Sequence, residues 1–265
     1  MLGARALGRV SAAGWPILIA VVLLAGCAGA KLPPFANDNP APISPADGGS
    51  ALKLARATRQ AGDLTSAIQL YRSLATANWM TPEVVVEFGD VLLQAGFPDD
   101  AIDTYSQVGA KSSAYISALL GQTRAYLSLD EPAKALEYAN QAQTLGPQDA
   151  RVLVDRGVAL DTLGQHAEAQ ECYRAVLRVT PRHVSARNNL ALSLALTAHY
   201  DEAIALITPL VRSSAATPQV RENMAVIYAL MGDADRATTL SRVDLDEGTT
   251  RANLTFLATV RGTTP

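Results

Sequence analysis

The sequence predicts an all-α chain: a superhelical solenoid of about six helix-turn-helix repeats closed by a C-terminal capping helix. Three columns of residues carry that prediction. Alanine recurs with a strict 34-residue period at Ala67, Ala101, Ala135, Ala169, Ala203 and Ala237. Five residues before each stands a turn former or small residue, Gly62, Gly96, Asp130, Gly164, Ala198 and Gly232. Seven residues before that turn a second column is mostly small: Ala55, Gly89, Thr123, Gly157, Ala191 and Ala225.

One unit shows the physics. The run from Ala159 to Leu163 is helical in pattern and stops at Gly164, where glycine accepts the left-handed backbone that closes a helix. A second helix follows, and the small Ala169 in its first turns lets two antiparallel helices approach closely. Nine residues after the turn come Tyr71, Tyr105, Ala139, Tyr173, Ile207 and Ser241. Proline closes the unit at Pro147 and Pro181, and opens the next helix at Pro82 and Pro218, where the first turn tolerates it. Period, small pairs, tyrosine and proline together resemble the tetratricopeptide repeat (TPR). The units run 48–81, 82–115, 116–149, 150–183, 184–217 and 218–251, an array over 48–251. Each exposes apolar surface that only its neighbour covers, so the array stacks into a right-handed superhelix with a concave face. Residues 252–265 form a capping helix and tail, with Leu254, Phe256 and Leu257 at helical spacing between Arg251 and Arg261.

Composition agrees. The chain is 49% hydrophobic but only 5% aromatic, so its core is built of Ala, Leu and Val, which suits stacked helices better than a sandwich or barrel. Net charge is -3, and residues 1–26 contribute two arginines and no acid, so without them it is -5. That balance argues against a nucleic-acid footprint.

Arg5 and Arg9 precede an apolar run from Val10 to Leu24, interrupted by Ser11 and Pro16. The run is shorter than the roughly 20 residues of a spanning helix and has the layout of a secretory signal. It ends in Leu24-Ala25-Gly26-Cys27, which resembles the bacterial lipobox. The resemblance implies a signal peptide over 1–26 and a lipidated Cys27. Ala28 and Gly29 follow, where Asp would imply retention at the inner membrane, so a lipid anchor at the periplasmic face of the outer membrane is expected. Residues 27–47 read as a tether; the composition rich in proline runs from Lys31 to Ser50 without apolar periodicity. At about 3.1 Å per residue such a segment reaches on the order of 60 Å.

The search for chemistry returns little. His166, His183 and His199 sit near turns with no cysteine or carboxylate cluster at ligand spacing, and read as solvated turn residues rather than metal ligands. Cys172, the other cysteine, reads as a small half-buried apolar residue. There is no P-loop, dinucleotide fingerprint or nucleophile elbow, and no cofactor is expected. Gly62-Asp63 and Gly232-Asp233 are explained by their register as helix stops and caps. The chain reads as non-enzymatic.

In the repeat family that this array resembles, the sixth and ninth positions of each first helix face the groove. The sixth column is Lys53, Glu87, Gly121, Asp155, Asn189 and Asn223; the ninth is Arg56, Asp90, Arg124, Val158, Leu192 and Val226. The amino-terminal half of the groove is therefore charged. The carboxy-terminal half sets Asp155, Asn188, Asn189 and Asn223 beside an apolar stripe of Val158, Leu192 and Val226. Amides that both donate and accept, next to an apolar shelf, suit an extended peptide or a partner's tail. The alternative is that the asparagines bridge repeats and the stripe is core. On the groove reading, bulky acids at Asn189 and Asn223 abolish capture without disturbing the fold. Arg187 and Arg221 point to another helix face and read as packing or salt-bridge residues.

The last third of the array adds a narrower resemblance. Asn188-Asn189-Leu190-Ala191, Tyr200-Asp201-Glu202-Ala203-Ile204, Ala216-Thr217-Pro218, Arg221-Glu222-Asn223-Met224-Ala225, Tyr228-Ala229-Leu230-Met231-Gly232-Asp233, Asp244-Leu245 and Ala252-Asn253-Leu254 follow in order. An Arg-x-Asn-[Leu/Met] motif recurs at Arg221 and Arg251, with a related form at Arg187. Over roughly 184–262 this resembles the TadD-like TPR lipoproteins of tight-adherence (Flp) pilus assembly. The resemblance implies a pilotin-like adaptor whose partner is an outer-membrane secretin or another pilus component, with no small-molecule substrate. The rival is an adaptor of the same architecture serving β-barrel assembly or peptidoglycan hydrolases.

Overall fold

The computed structural model describes residues 47–214 and 216–263. The expected signal peptide, Cys27 and the expected tether up to Ala46 lie outside the described residues. Helices α1 (Gly48–Gln60) and α2 (Leu64–Thr76) form the first hairpin, α3 (Pro82–Gln94) and α4 (Pro98–Tyr105) the second, α5 (Tyr115–Ser128) and α6 (Pro132–Leu145) the third. The hairpins α7 (Ala150–Thr162) with α8 (His166–Val179), α9 (Val184–Leu196) with α10 (Tyr200–Val211), and α11 (Pro218–Met231) with α12 (Ala234–Ser241) follow. A last helix, α13 (Glu247–Thr263), packs on α11 and α12.

The hinge column adopts the backbone expected of it. Gly62, Gly96, Gly164 and Gly232 have positive φ, and so do Asp130 at 58° and Ala198 at 61°. The residue after each hinge donates its N–H to the carbonyl five residues back at 2.8 to 3.1 Å, from Asp63 to Thr58, Phe97 to Leu92, Glu131 to Tyr126, Gln165 to Leu160, His199 to Leu194 and Asp233 to Tyr228. This Schellman closure satisfies carbonyls that the helix end would leave orphaned. The chain reverses within three residues, and the alanine that follows meets the first helix: Ala67, Ala101, Ala135, Ala169, Ala203 and Ala237 are all fully buried.

Two glycines show two different requirements. A Cβ on Gly164 would meet nothing within 4 Å, so glycine is needed there for its φ of 75°. A Cβ on Gly157 would stand 2.5 Å from the Tyr173 ring, so glycine is needed there for space. Tyr105 fills two such spaces, its ring reaching within 2.4 Å of a Cβ on Gly89 and 2.3 Å of one on Gly121. One tyrosine thus packs its own repeat against the next.

Helix starts are capped by the side chains placed there. Asp63, Thr81, Asp149, His183, Thr217 and Asp233 each accept a backbone N–H from the first turn that follows. Pro82, Pro98, Pro132 and Pro218 occupy the opening position, where no N–H is required. α1 begins at Gly48, where the first repeat was expected to begin, and one boundary differs from expectation. The capping helix begins at Glu247 rather than Arg251, because α12 stops at Ser241 and Asp246 accepts the Thr249 N–H at 2.9 Å.

From α3 onward each first helix packs on the next first helix, whereas second helices pack on their own partner and the following first helix. The side on which neighbours crowd is the inside of the curve, so the first helices line the concave face. The core divides where the tyrosine column lapses at Ala139. One apolar cluster runs from Leu160 to Leu257, another from Ala55 to Ala118, with smaller clusters around Leu119 and Leu153 between them.

Ala198→Gly removes a Cβ from a left-handed hinge and should raise stability by about 0.5–1 kcal/mol. Gly157→Ala should cost about 1–3 kcal/mol through overpacking against Tyr173, more than the roughly 1 kcal/mol of Gly164→Ala. Urea unfolding midpoints of the three variants check the order.

Candidate partner-binding groove

The two groove columns meet across repeats at a spacing of 31 residues, the ninth position of one unit against the sixth of the next. At the amino-terminal end Arg56 grips Glu87 through two bonds, Nη2 to Oε1 at 2.6 Å and Nε to Oε2 at 2.8 Å. Arg124 donates to Asp155 at 2.8 Å in the third such rung. Between them Asp90 faces Gly121, which offers no side chain, and accepts instead from the Tyr105 hydroxyl at 2.8 Å. The charged half of the concave face is thus largely paired with itself. Its recess of about 480 Å³, lined by Arg56, Arg59, Gln60, Glu87 and Gln94, holds charges already engaged with one another.

Beyond Asp155 the rungs change character, to Val158 against Asn189 and Leu192 against Asn223. No ion pair closes this half. An amide chain runs through it: Asn223 Nδ2 donates to Asn188 Oδ1 at 3.0 Å, and Asn188 Nδ2 donates to Asn189 Oδ1 at 3.2 Å. The expected site residues therefore separate. Asn188 and Leu192, each 7% exposed, lie beneath the surface. Asp155 is engaged by Arg124, and burial still raises its carboxyl above the ordinary range. Val158, Asn189, Asn223 and Val226 keep exposed faces. The structure also corrects the expectation that acids at both asparagines leave the fold untouched, since Asn223 supplies a hydrogen bond to the buried Asn188.

Asp161 is the functional-type residue that sequence reading missed. It is 4% exposed and accepts from Ser193 Oγ at 2.7 Å and from the Tyr173 hydroxyl at 3.0 Å, with His166 Nδ1 at 2.8 Å. His166 is accordingly a partner of a buried carboxylate, not the solvated turn residue expected. His183 caps α9, accepting from the Ala186 N–H at 3.2 Å, and His199 Nδ1 lies 3.0 Å from Thr197 Oγ1. The only sequence signal for Asp161 was an acid inside an apolar helix run. The tyrosines share this chemistry: Tyr71 donates to Glu87 at 3.1 Å, and burial pushes its phenol up to about 12.

Arg221 binds Asp244 through Nε at 2.6 Å and Nη2 at 2.5 Å, holding that carboxyl below the ordinary range, and donates to the Ala216 carbonyl at 2.7 Å. Arg187 similarly donates to the Pro181 carbonyl at 2.6 Å. Arg251, in the same motif, instead pairs with Glu247 one turn back at 2.9 Å. Between Arg221 and Asn223, Glu222 is 6% exposed; one oxygen accepts from Ser241 at 3.2 Å and the other has no partner, and burial raises its carboxyl. Cys172 is buried and accepts from Arg156 Nη1 at 3.0 Å; burial pushes its thiol up, so it stays protonated near neutrality. Among the described residues no group of three or more His, Cys, Asp or Glu side chains is placed to hold a metal, and no helix is long and apolar enough to cross a membrane.

A curved stack of helix hairpins with a partly unpaired inner face defines a helical-repeat scaffold for protein–protein interaction. Residues 86–150 and 154–218 match the tetratricopeptide repeat family, and the chain is a tetratricopeptide repeat protein. The uncharacterized protein y4yS of Sinorhizobium fredii is 34% identical over 80 residues, 30% of this chain and 44% of that one. Tetratricopeptide repeat protein 7B of Homo sapiens is 26% identical over 113 residues, 43% of this chain and 13% of that one. The matches thus span less than half the length of either relative. Among solved structures, a tetratricopeptide repeat protein from Parabacteroides merdae superposes with TM-score 0.60 at 20% identity, covering 82% of this chain and 89% of that one. Pseudomonas aeruginosa pilF superposes with TM-score 0.58 at 16% identity, covering 80% and 98%. A chain of the APC/C hetero-tetramer Cut9-Hcn1 gives 0.67 at 16%, covering 79% and 42%. At these identities the likeness is one of fold.

Asp161→Ala leaves buried donors without an acceptor and should cost about 3 kcal/mol, against about 1 kcal/mol for Asn223→Ala; urea unfolding reads both. The raised carboxyl of Glu222 favours folding while protonated, and that contribution is lost as pH rises through its folded-state pKa. Glu222→Gln should therefore raise the melting temperature at pH 7, with the gain vanishing below the ordinary carboxylate range.

Proposed function

We propose that this protein is a non-enzymatic, lipid-anchored adaptor of the TadD-like kind, serving tight-adherence (Flp) pilus assembly. Cys27 carries the lipid and fixes the chain to the periplasmic face of the outer membrane. The tether, with a reach on the order of 60 Å, lets the array work away from that surface. Its concave face captures an extended segment of an outer-membrane secretin or another pilus component. The observation that carries the reading is the change of rung beyond Asp155. The self-paired half of the groove leaves a partner little to gain, because its charges must be unpaired before they can be used. The half with Val158, Asn189, Asn223 and Val226 offers amides and apolar surface free of ion pairs. It largely overlaps the stretch whose residues resemble the TadD-like lipoproteins.

An in-cell test places a photo-crosslinking residue at Val226 of the full-length lipoprotein, followed by mass spectrometry of the adducts. The expected product is a secretin or a pilus subunit. Adducts to barrel-assembly factors or peptidoglycan hydrolases would transfer the protein to that rival class. With the crosslinking residue kept at 226, Asn189→Glu with Val158→Glu should abolish the adduct while leaving the melting temperature within a few degrees, since Glu at 189 still offers Asn188 an acceptor. Undiminished recovery of the partner contradicts the groove assignment.

A further inference from the structure

Because successive helices alternate in direction, the array has two edges. One holds the hinges and is acidic, with Asp99, Asp100, Asp130, Asp201, Glu202 and Asp235 in or beside them. The other holds the turns that lead from each second helix into the next first helix. In the turns from 77–81 to 212–217 the one acid is Asp149, and Arg151 pairs with it at 2.6 Å. Lys111, Arg178, Arg182 and Arg212 are exposed on this edge and, among the described residues, engage no acid, acceptor or ring. Elsewhere in the array arginines are mostly paired. Across these turns the edge is thus cationic, whereas Lys53 stands unengaged among the described residues on α1 and the last turn of the edge carries Asp244 and Asp246.

The same edge carries three exposed aliphatic side chains, while Leu54 at 55% and Met231 at 40% are exposed elsewhere. Val179 is 77% exposed, Leu145 53% and Val184 40%. Leu145 and Val179 are one repeat apart, as are Arg178 and Arg212, and the two kinds of side chain meet at Arg178-Val179. The turn at the centre is stiffened from within, since Arg187 donates to the Pro181 carbonyl at 2.6 Å and His183 caps α9. The attraction of cations to helix carboxy termini accounts for the places of Arg178 and Arg212. It accounts neither for Arg182, which lies in the turn itself, nor for the aliphatics, whose exposure helps no helix.

The edge is also where the amino-terminal segment enters. Gly48 opens α1 so close to Trp79 that a Cβ would stand 2.2 Å from the indole, and Trp79, 36% exposed, belongs to the first of these turns. We infer that this turn edge docks on a membrane surface of anionic lipid. Arginines reach the headgroup phosphates, while Val179, Leu145 and Val184 enter the interfacial layer just beneath, an arrangement that combines apolar burial with attraction to anionic lipid. Docking in this way turns the acidic hinge edge outward and holds the concave face alongside the membrane. The inference does not depend on what the groove binds.

The test uses the full-length lipidated chain in vesicles of phosphatidylcholine, alone or mixed with phosphatidylglycerol, with a trace of acceptor-labelled headgroup. A donor fluorophore is attached at Gln148→Cys on the turn edge or at Ala167→Cys on the hinge edge; Cys172 is buried and stays unlabelled. With phosphatidylglycerol present, energy transfer from position 148 should be roughly fivefold that from position 167. Arg178→Glu with Arg182→Glu and Arg212→Glu, or high salt, should remove the difference. Val179→Ser with Val184→Ser should reduce it without altering charge, which guards against misreading a charge variant that folds poorly. Equal transfer from both positions, or a difference indifferent to charge reversal, overturns the inference. Flotation with phosphatidylglycerol vesicles but not with phosphatidylcholine alone would overturn the lipid anchor and support the edge.

Discussion

The structure depends on a left-handed residue placed every 34 positions. Each one stops a helix, reverses the chain within three residues and brings a fully buried alanine against the helix just completed. Without the reversal there is no hairpin, and without hairpins of equal length the groove columns fall out of register. The fold tolerates a Cβ at two hinges, Asp130 and Ala198, because the closing hydrogen bond and the buried alanine over-determine the geometry there.

Polar pairs are layered onto that frame at the seams between repeats. Tyr105 and Tyr173 fill the space left by glycines, and with Tyr71 they send their hydroxyls to carboxylates, on Asp90, Asp161 and Glu87. Glu87 and Asp90 both lie on α3 and Asp161 lies near the end of α7, so similar tyrosines leave different chemistry on the concave face. Where the acceptor lies on that face, at Glu87 and Asp90, arginines gather around it and the groove is self-satisfied. Where it lies deeper, at Asp161, the face is left to Val158, Asn189 and their neighbours. Tyrosine packing thus accounts for part of the division of the groove, and the Arg124–Asp155 rung, which has no tyrosine, completes the paired half.

What could be read from the sequence follows from the range of each interaction. Hinge, alanine and small-residue columns were legible because a φ above zero and a close helix contact each demand a residue type at one position. Two of the four opening prolines, Pro82 and Pro218, were visible because the first turn of a helix tolerates proline. Pairings across repeats were not, because the 31-residue rung depends on how much each hairpin rotates against the last, which no local pattern states. Asp161 and the burial of Asn188 were missed on that account. So was the early start of α13, which rests on where α12 ends and on a single capping aspartate at 246. The charge polarity of the two edges lay in the sequence throughout but became visible only when the helix directions sorted the turns into two sets.

The central claim is that the carboxy-terminal half of the concave face is the surface a partner occupies. Hydrogen–deuterium exchange of the full-length protein, with and without the purified secretin, tests it most directly. The account predicts added protection in α7, α9 and α11 on the side of Val158, Asn189 and Val226, with α1 to α4 unchanged. Protection confined to α1 through α4, or to the outer faces of the second helices, would contradict it.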